Sequence, residues 1–193
     1  MNSEQLNTEL QKLLYKALTD YLSVKLNELQ NEKVYAVAVY CDSGCRSMGG
    51  AISTVESLNR KSKNASIDSQ MTYEIDASAW EYVNEHYELF DEVNHFIDRA
   101  YNEFYEGEFE DVDLEVLDDE QLWEFIAAFF SKAIVETMNK LKEEGAFNDE
   151  LFTENLFLGM QFGDPGKEDL EMLKRVSVEI NSSYWHNKVL ERF

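Results

Sequence analysis

The sequence predicts an α+β fold, with a small mixed sheet of three to four strands packed by five or more helices. Three observations lead there. Residues 33–41 form a nearly continuous apolar run rich in Val, Tyr and Ala, as expected of a strand covered on both faces. Several long segments repeat apolar side chains every three and four positions, the period of a helix with one buried face. The recognisable strands are well separated and lack tight-hairpin signals between them, so a large doubly wound sheet is excluded.

Each element follows from its own pattern. Leu6, Leu10, Leu13, Leu14, Ala17, Leu18, Tyr21 and Leu22 share one face of an opening helix that should end near Asn31. After the 33–41 strand, residues 42–50 are turn-rich. Ser53 or Thr54 can then cap a short helix through Lys63, with Glu56 in its first turn. Residues 71–75 read as a second strand, and a further strand within 47–53 would lengthen the sheet without changing the class. The face Leu89, Phe90, Val93, Phe96, Ile97, Ala100, Tyr101 and Phe104 is helical. Asp118 or Asp119 caps the next helix, apolar nearly all round until Gly145 ends it, which makes it the buried central helix. Residues 155–162 are the third strand. The turn at 163–166 leads into a helix over 167–180, with Pro165 tolerated near a helix start. With one proline, eight glycines and no Ser/Gly/Pro-rich linker or repeat, residues 1–193 are expected to form a single globular domain.

Charge is the strongest functional signal. The chain carries 39 acidic and 17 basic side chains, a formal net charge of -22. Residues 1–63 hold 7 acids and 8 bases, residues 64–120 hold 19 acids and the single base Arg99, and residues 121–193 hold 13 acids and 8 bases. The excess therefore belongs to one stretch, densest at 106–120, where nine of fifteen positions are carboxylic acids. Phe109, Val112, Leu114, Val116 and Leu117 alternate with those acids, which favours an ordered ridge over a loose tail. Such a surface repels phosphate backbones and anionic headgroups, so neither nucleic acid nor membrane is an expected partner. No signal peptide or run of roughly 18 apolar residues is present, and a soluble cytoplasmic protein is expected.

The remaining chemistry is sparse. Cys41 and Cys45 lack a second ligand pair for zinc, so reduced thiols are expected and no metal or other cofactor is assigned. Cys45, beside Arg46, is the better nucleophile candidate, although no base can be paired with it. His86, His95 and His186 are scattered, and the nine residues between the first two would put them on opposite sides of a helix. Asp111, Asp113 and Glu115 have the alternate spacing of a calcium loop, but Val116 stands where the sharp-turn glycine belongs. Residues 163–167 follow a strand and open a helix, yet lack a Gly-Lys-Ser/Thr ending, and Glu168 and Asp169 oppose an anion. A structural turn is the reading there.

Residues 34–40 (Val-Tyr-Ala-Val-Ala-Val-Tyr), 53–58 (Ser-Thr-Val-Glu-Ser-Leu), Trp80 and the helix ending Lys142-Glu-Glu-Gly145 together resemble the bacterial family catalogued as domain of unknown function 4303. The likeness covers most of the chain through short motifs. It implies a soluble single-domain protein and supplies no catalytic residue to carry over. Small acidic families often accompany secreted toxins as their immunity proteins, which is an association and not a mechanism. The expected function is thus non-enzymatic: an acidic interaction protein, in its most specific form an immunity protein that binds a basic toxin or nuclease. Glu108, Glu110, Asp111, Asp113, Asp118 and Asp119 are the candidate contacts. The alternatives are a small enzyme or ligand-binding domain beside the 42–50 loop, using Cys45 or His86, and a subunit that buries aromatic surface in a homo-oligomer.

Overall fold

The computed structural model describes residues 2–106 and 109–193. Its order is α1 (Ser3–Glu28), β1 (Val34–Cys41), β2 (Met48–Thr54), α2 (Val55–Ser62), α3 (Ile67–Ile75), β3 (Tyr82–Val83), α4 (Asp91–Glu106), α5 (Asp119–Glu143), β4 (Phe152–Phe162), α6 (Lys167–Ile180) and α7 (Ser183–Arg192). Among the described residues the sheet has four strands in the order β3-β2-β1-β4. Strand β1 pairs antiparallel with β2 and parallel with β4, so the sheet is mixed and the fold is α+β.

Both central strands are buried almost throughout, as the apolar run in β1 requires. Helix α1 covers one face, where the Tyr21 ring lies against the backbone of Gly50 in β2. Helix α5 packs on α1 and α6. Trp80 and Trp185, the latter on α7, pack against Phe157 of β4 on the opposite face, and Tyr35 stacks on Trp185. One cluster of buried apolar side chains runs from Leu6 to Val189.

Local chemistry sets the boundaries. Asn2 caps α1, accepting from the Glu4 N–H at 2.9 Å. Thr54 and Ser57 form a reciprocal capping box on α2, and Asp118 and Gln121 do the same on α5. Gly145 ends α5 with φ of 80°, a left-handed conformation that a side chain would disfavour.

Two expectations are corrected, and one element is added. Residues 71–75 are the end of helix α3, not a strand: Ser66 caps that helix through the Ser69 N–H, and only Ile75 in it is buried. Met71, Tyr73 and Ile75 alternate by coincidence along a half-exposed helix. The β1–β2 connection is a short hairpin through a 3₁₀ turn at Ser43–Cys45, so consecutive strands do pair. The tail folds as α7, anchored by buried Trp185, whose indole N–H donates to the Asn155 carbonyl at 3.1 Å.

Candidate functional site

Strands β1 and β4 run parallel, so their carboxyl ends open at the same edge of the sheet, the usual place for a binding crevice. The β1–β2 turn sits there under several restraints. Asp42 accepts the Ser47 N–H at 2.7 Å, and the buried Asp169 of α6 accepts the Gly44 N–H at 2.9 Å. The Tyr101 hydroxyl of α4 donates to the Gly44 carbonyl. Gly44 and Cys45 both have positive φ, 70° and 57°. The other Asp169 oxygen accepts the Gly166 N–H at 2.9 Å. A carboxylate of the chain itself therefore caps the N-terminus of α6, and with Glu168 beside it the helix start opposes an anion, in keeping with a structural turn at 163–167.

These restraints dispose of Cys45 as an activated nucleophile. Its side chain is fully buried, and burial, reinforced by the neighbouring Cys41, pushes the thiol well above its ordinary value. Arg46, expected to activate it, stacks its guanidinium over the Tyr101 ring, 4.2 Å from the centroid. His86 has a left-handed backbone conformation, φ 56°, and its Nε2 lies 2.8 Å from Glu28 Oε1. His95 Nδ1 is hydrogen-bonded to the Asp91 carbonyl of its own helix, and His186 Nδ1 lies 3.3 Å from Ser177 Oγ. The three histidines are not brought together. Among the described residues no group of three His, Cys, Asp or Glu side chains could hold a metal ion, and no helix is long and apolar enough to cross a membrane.

A cleft of about 1020 Å³ opens beside the turn, between the first three helical turns of α5 and of α6. Trp123, Ala127 and Met172 supply apolar lining. Six carboxylates, Asp119, Glu120, Glu124, Glu168, Asp169 and Glu171, face two cations, Lys167 and Arg175. Arg175 already pairs with Glu124 across the helices at 2.6 Å. Acids in the first turn of a helix offset its dipole, which explains why each helix begins with them.

The acidic candidates have distinct local roles. Glu108 lies outside the described residues. Glu110, Asp111, Asp113, Asp118 and Asp119 are all exposed. Asp111 accepts from the Ser3 hydroxyl and backbone N–H, tying the segment to the start of α1, and those bonds hold its carboxyl below the usual range. Asp113 accepts the Glu115 N–H in the 3₁₀ turn at Leu114–Val116, Asp118 caps α5, and Asp119 lines the cleft. Phe109, Val112, Leu114 and Leu117 are partly buried, whereas Val116 is 71% exposed.

Ion pairing divides the acidic stretch. Five acids of its first half are offset by cations from elsewhere: Glu74 by Lys188, Asp76 by Arg192, Glu81 by Arg60, Glu85 by Lys25 and Glu92 by Lys16; among the described residues Asp68 and Asp91 form no ion pair, and Glu88 has only His86, at 3.7 Å. Among the described residues, Asp98, Glu103, Glu106, Asp113, Glu115, Asp118, Asp119 and Glu120 form no such pair. Among the described residues, carboxylates without a cation partner thus stand in the second half of α4 and again from Asp113 into the first turn of α5, where Asp119 and Glu120 reach the cleft. Sequence reasoning found the ridge but missed Trp123, Glu124 and Glu171, because α5 and α6 meet across some fifty residues of chain and each pattern reads by itself as an ordinary amphipathic helix.

One family model, described as a domain of unknown function, matches residues 10–177. No curated protein and no solved structure gives a significant match.

Proposed function

The chain belongs to the DUF4303 family, a domain of unknown function, and from that premise we propose that the protein is a non-enzymatic binding protein for a basic protein partner. The observation that carries the reading is that, among the described residues, Asp98, Glu103 and Glu106 of α4 and Asp113, Glu115, Asp118, Asp119 and Glu120 at and before the start of α5 have no ion-pair partner. A fold that offsets Glu74, Asp76, Glu81, Glu85 and Glu92 and leaves the named acids of α4 and of 113–120 without ion pairs keeps a predominantly negative surface facing water, with Arg99 already paired to Glu9. Such a surface accelerates encounter with an oppositely charged protein and loses that advantage as salt rises. In its most specific form the partner is a basic toxin or nuclease and this chain neutralises it inside the cytoplasm, in keeping with two unbridged cysteines. The alternative of a thiol-based enzyme draws no support from a Cys45 that solvent cannot reach.

The test is affinity capture at low salt from the cells that make the protein, alongside a Glu103→Lys/Glu106→Lys/Glu115→Lys variant. A basic protein should be retained by the native chain and lost by the variant, with an association rate that falls steeply as ionic strength rises. Recovery of only neutral or acidic proteins, or equal retention by the variant, overturns the reading.

A further inference from the structure

We infer that the α5–α6 cleft is the seat of an arginine-bearing extended segment of that basic partner, with the arginine lying on Trp123. The inference rests on the proposed basic partner and adds where the partner inserts and which side chain it presents.

Shape and chemistry point the same way. A volume of about 1020 Å³ is more than one side chain fills and lies at the upper end of the roughly 300–1,000 Å³ range of binding clefts. The lining is apolar at Trp123, Ala127 and Met172 and carboxylate-rich around them. That combination suits a side chain with an aliphatic stem and a cationic head. Trp123 is partly exposed, while Trp80 and Trp185 are buried, so it is the tryptophan a ligand can reach. An indole face is the strongest cation–π surface among the side chains, and a planar guanidinium stacks on it better than a compact ammonium does.

The cleft also carries an internal precedent. Glu124 receives the guanidinium of Arg175 at 2.6 Å, so a carboxylate on this wall is placed for that geometry. Glu120 and Glu171 are exposed on the two walls. Glu120 forms no ion pair among the described residues, and Glu171 has only a 3.5 Å contact with Lys174. The wall behind is preorganised: Asp169 accepts the Gly44 N–H, Tyr101 donates to the Gly44 carbonyl, and the Trp123 ring lies so near Gly44 that a Cβ there would sit 3.3 Å from it. A pre-set aromatic wall spares an incoming segment part of the ordering cost of binding. The cleft is continuous with the unpaired acids of the ridge through Asp118 and Asp119, so steering and seating occupy one surface.

The experiment titrates the intact chain with a hexa-arginine peptide, reading tryptophan emission, with hexa-lysine as the comparison. Hexa-arginine should change the emission and bind at least fivefold more tightly than hexa-lysine. Trp123→Phe should abolish the spectral change, Trp123→Leu should erase the arginine preference, and Glu120→Lys/Glu171→Lys should weaken binding tenfold or more. Both charge changes are on exposed positions, and unchanged circular dichroism and Tm establish folding. The ridge variant Glu103→Lys/Glu106→Lys/Glu115→Lys should slow association yet keep the arginine preference. If hexa-arginine and hexa-lysine bind alike and the cleft variants match the native chain while the ridge variant loses binding, the cleft proposal fails and the basic-partner reading stands. If no variant alters binding of either peptide, both fail.

Discussion

The Asn181 side chain pairs with both backbone groups of Leu158: its Oδ1 accepts the Leu158 N–H at 2.9 Å and its Nδ2 donates to the Leu158 carbonyl at 2.6 Å. A side-chain amide thereby imitates a neighbouring strand on the free edge of β4. The other side of the sheet repeats the device, where Asn94 of α4 bonds the N–H and carbonyl of Met48 in β2 at 2.7 and 3.0 Å. Open edges invite pairing with other chains, and covering them is a common protection. Replacing Asn181 with Ala should cost about 1–3 kcal/mol, because two backbone groups lose their partners, and should promote association of the variant. Urea denaturation measures the first effect and sedimentation velocity the second. A variant as stable and as monodisperse as the native chain would show that the edge needs no cover.

Close approach of α1 to the sheet makes a second prediction. A Cβ on Gly50 would lie 2.5 Å from the ring of Tyr21, which is itself fully buried and hemmed by Phe90. Gly50→Ala should therefore destabilise the protein by about 1–3 kcal/mol through overpacking. Pairing it with Tyr21→Leu should cost less than the two single changes added together. Equilibrium unfolding of the four proteins in that cycle decides the point, and strict additivity would refute the contact.

The same contact explains why β2 was hard to read. Its Met-Gly-Gly-Ala-Ile-Ser-Thr sequence has weak strand propensity, because Tyr21 and Asn84 pack where side chains at Gly50 and Gly49 would stand. Helices α5 and α6 were legible to within a residue or two, because Asp118, Gly145 and the 163–166 turn act locally on their own ends. The acidic ridge was legible for the same reason, since charge density is a property of one segment. Which of its acids are neutralised was not, because Lys16, Lys25, Arg60, Lys188 and Arg192 reach them from distant elements. Cys45 failed as a candidate on a similar ground. Only the folded chain shows Arg46 turned onto Tyr101 and the thiol sealed beneath the turn.

Burial of both thiols carries a third prediction. Cys41 and Cys45 are almost fully shielded, and the Cys45 thiol is held well above the ordinary cysteine range. Neither should react with Ellman's reagent at the rate of a free thiol in the native state, and raising the pH to about 8.5, where an ordinary cysteine is half ionised, should not bring Cys45 to that rate. Both should titrate at once in urea. A fast-reacting thiol in the folded protein would restore the case for nucleophilic chemistry.

A fourth prediction concerns Glu32, which joins the α1–β1 connection to α2 and β3. Burial by itself would raise its carboxyl, but hydrogen bonds from Thr54, Arg60 and Tyr82 outweigh that and hold it below the usual value. Arg60 approaches Oε1 at 3.0 Å and the Tyr82 hydroxyl approaches Oε2 at 3.1 Å. A depressed value in the folded state means that the unfolded chain takes up the proton more readily. The contribution is therefore complete above about pH 4.3, the value of an unperturbed glutamate, and is lost as pH falls through the lower folded value. Glu32→Gln should be less stable at pH 7 by about 1 kcal/mol, an amount reduced by the half-exposed position of Arg60. The native chain should lose stability faster than the variant as pH falls below about 4.3, so that their urea midpoints converge on acidification. Parallel midpoints over that range would place the acid sensitivity in other carboxylates.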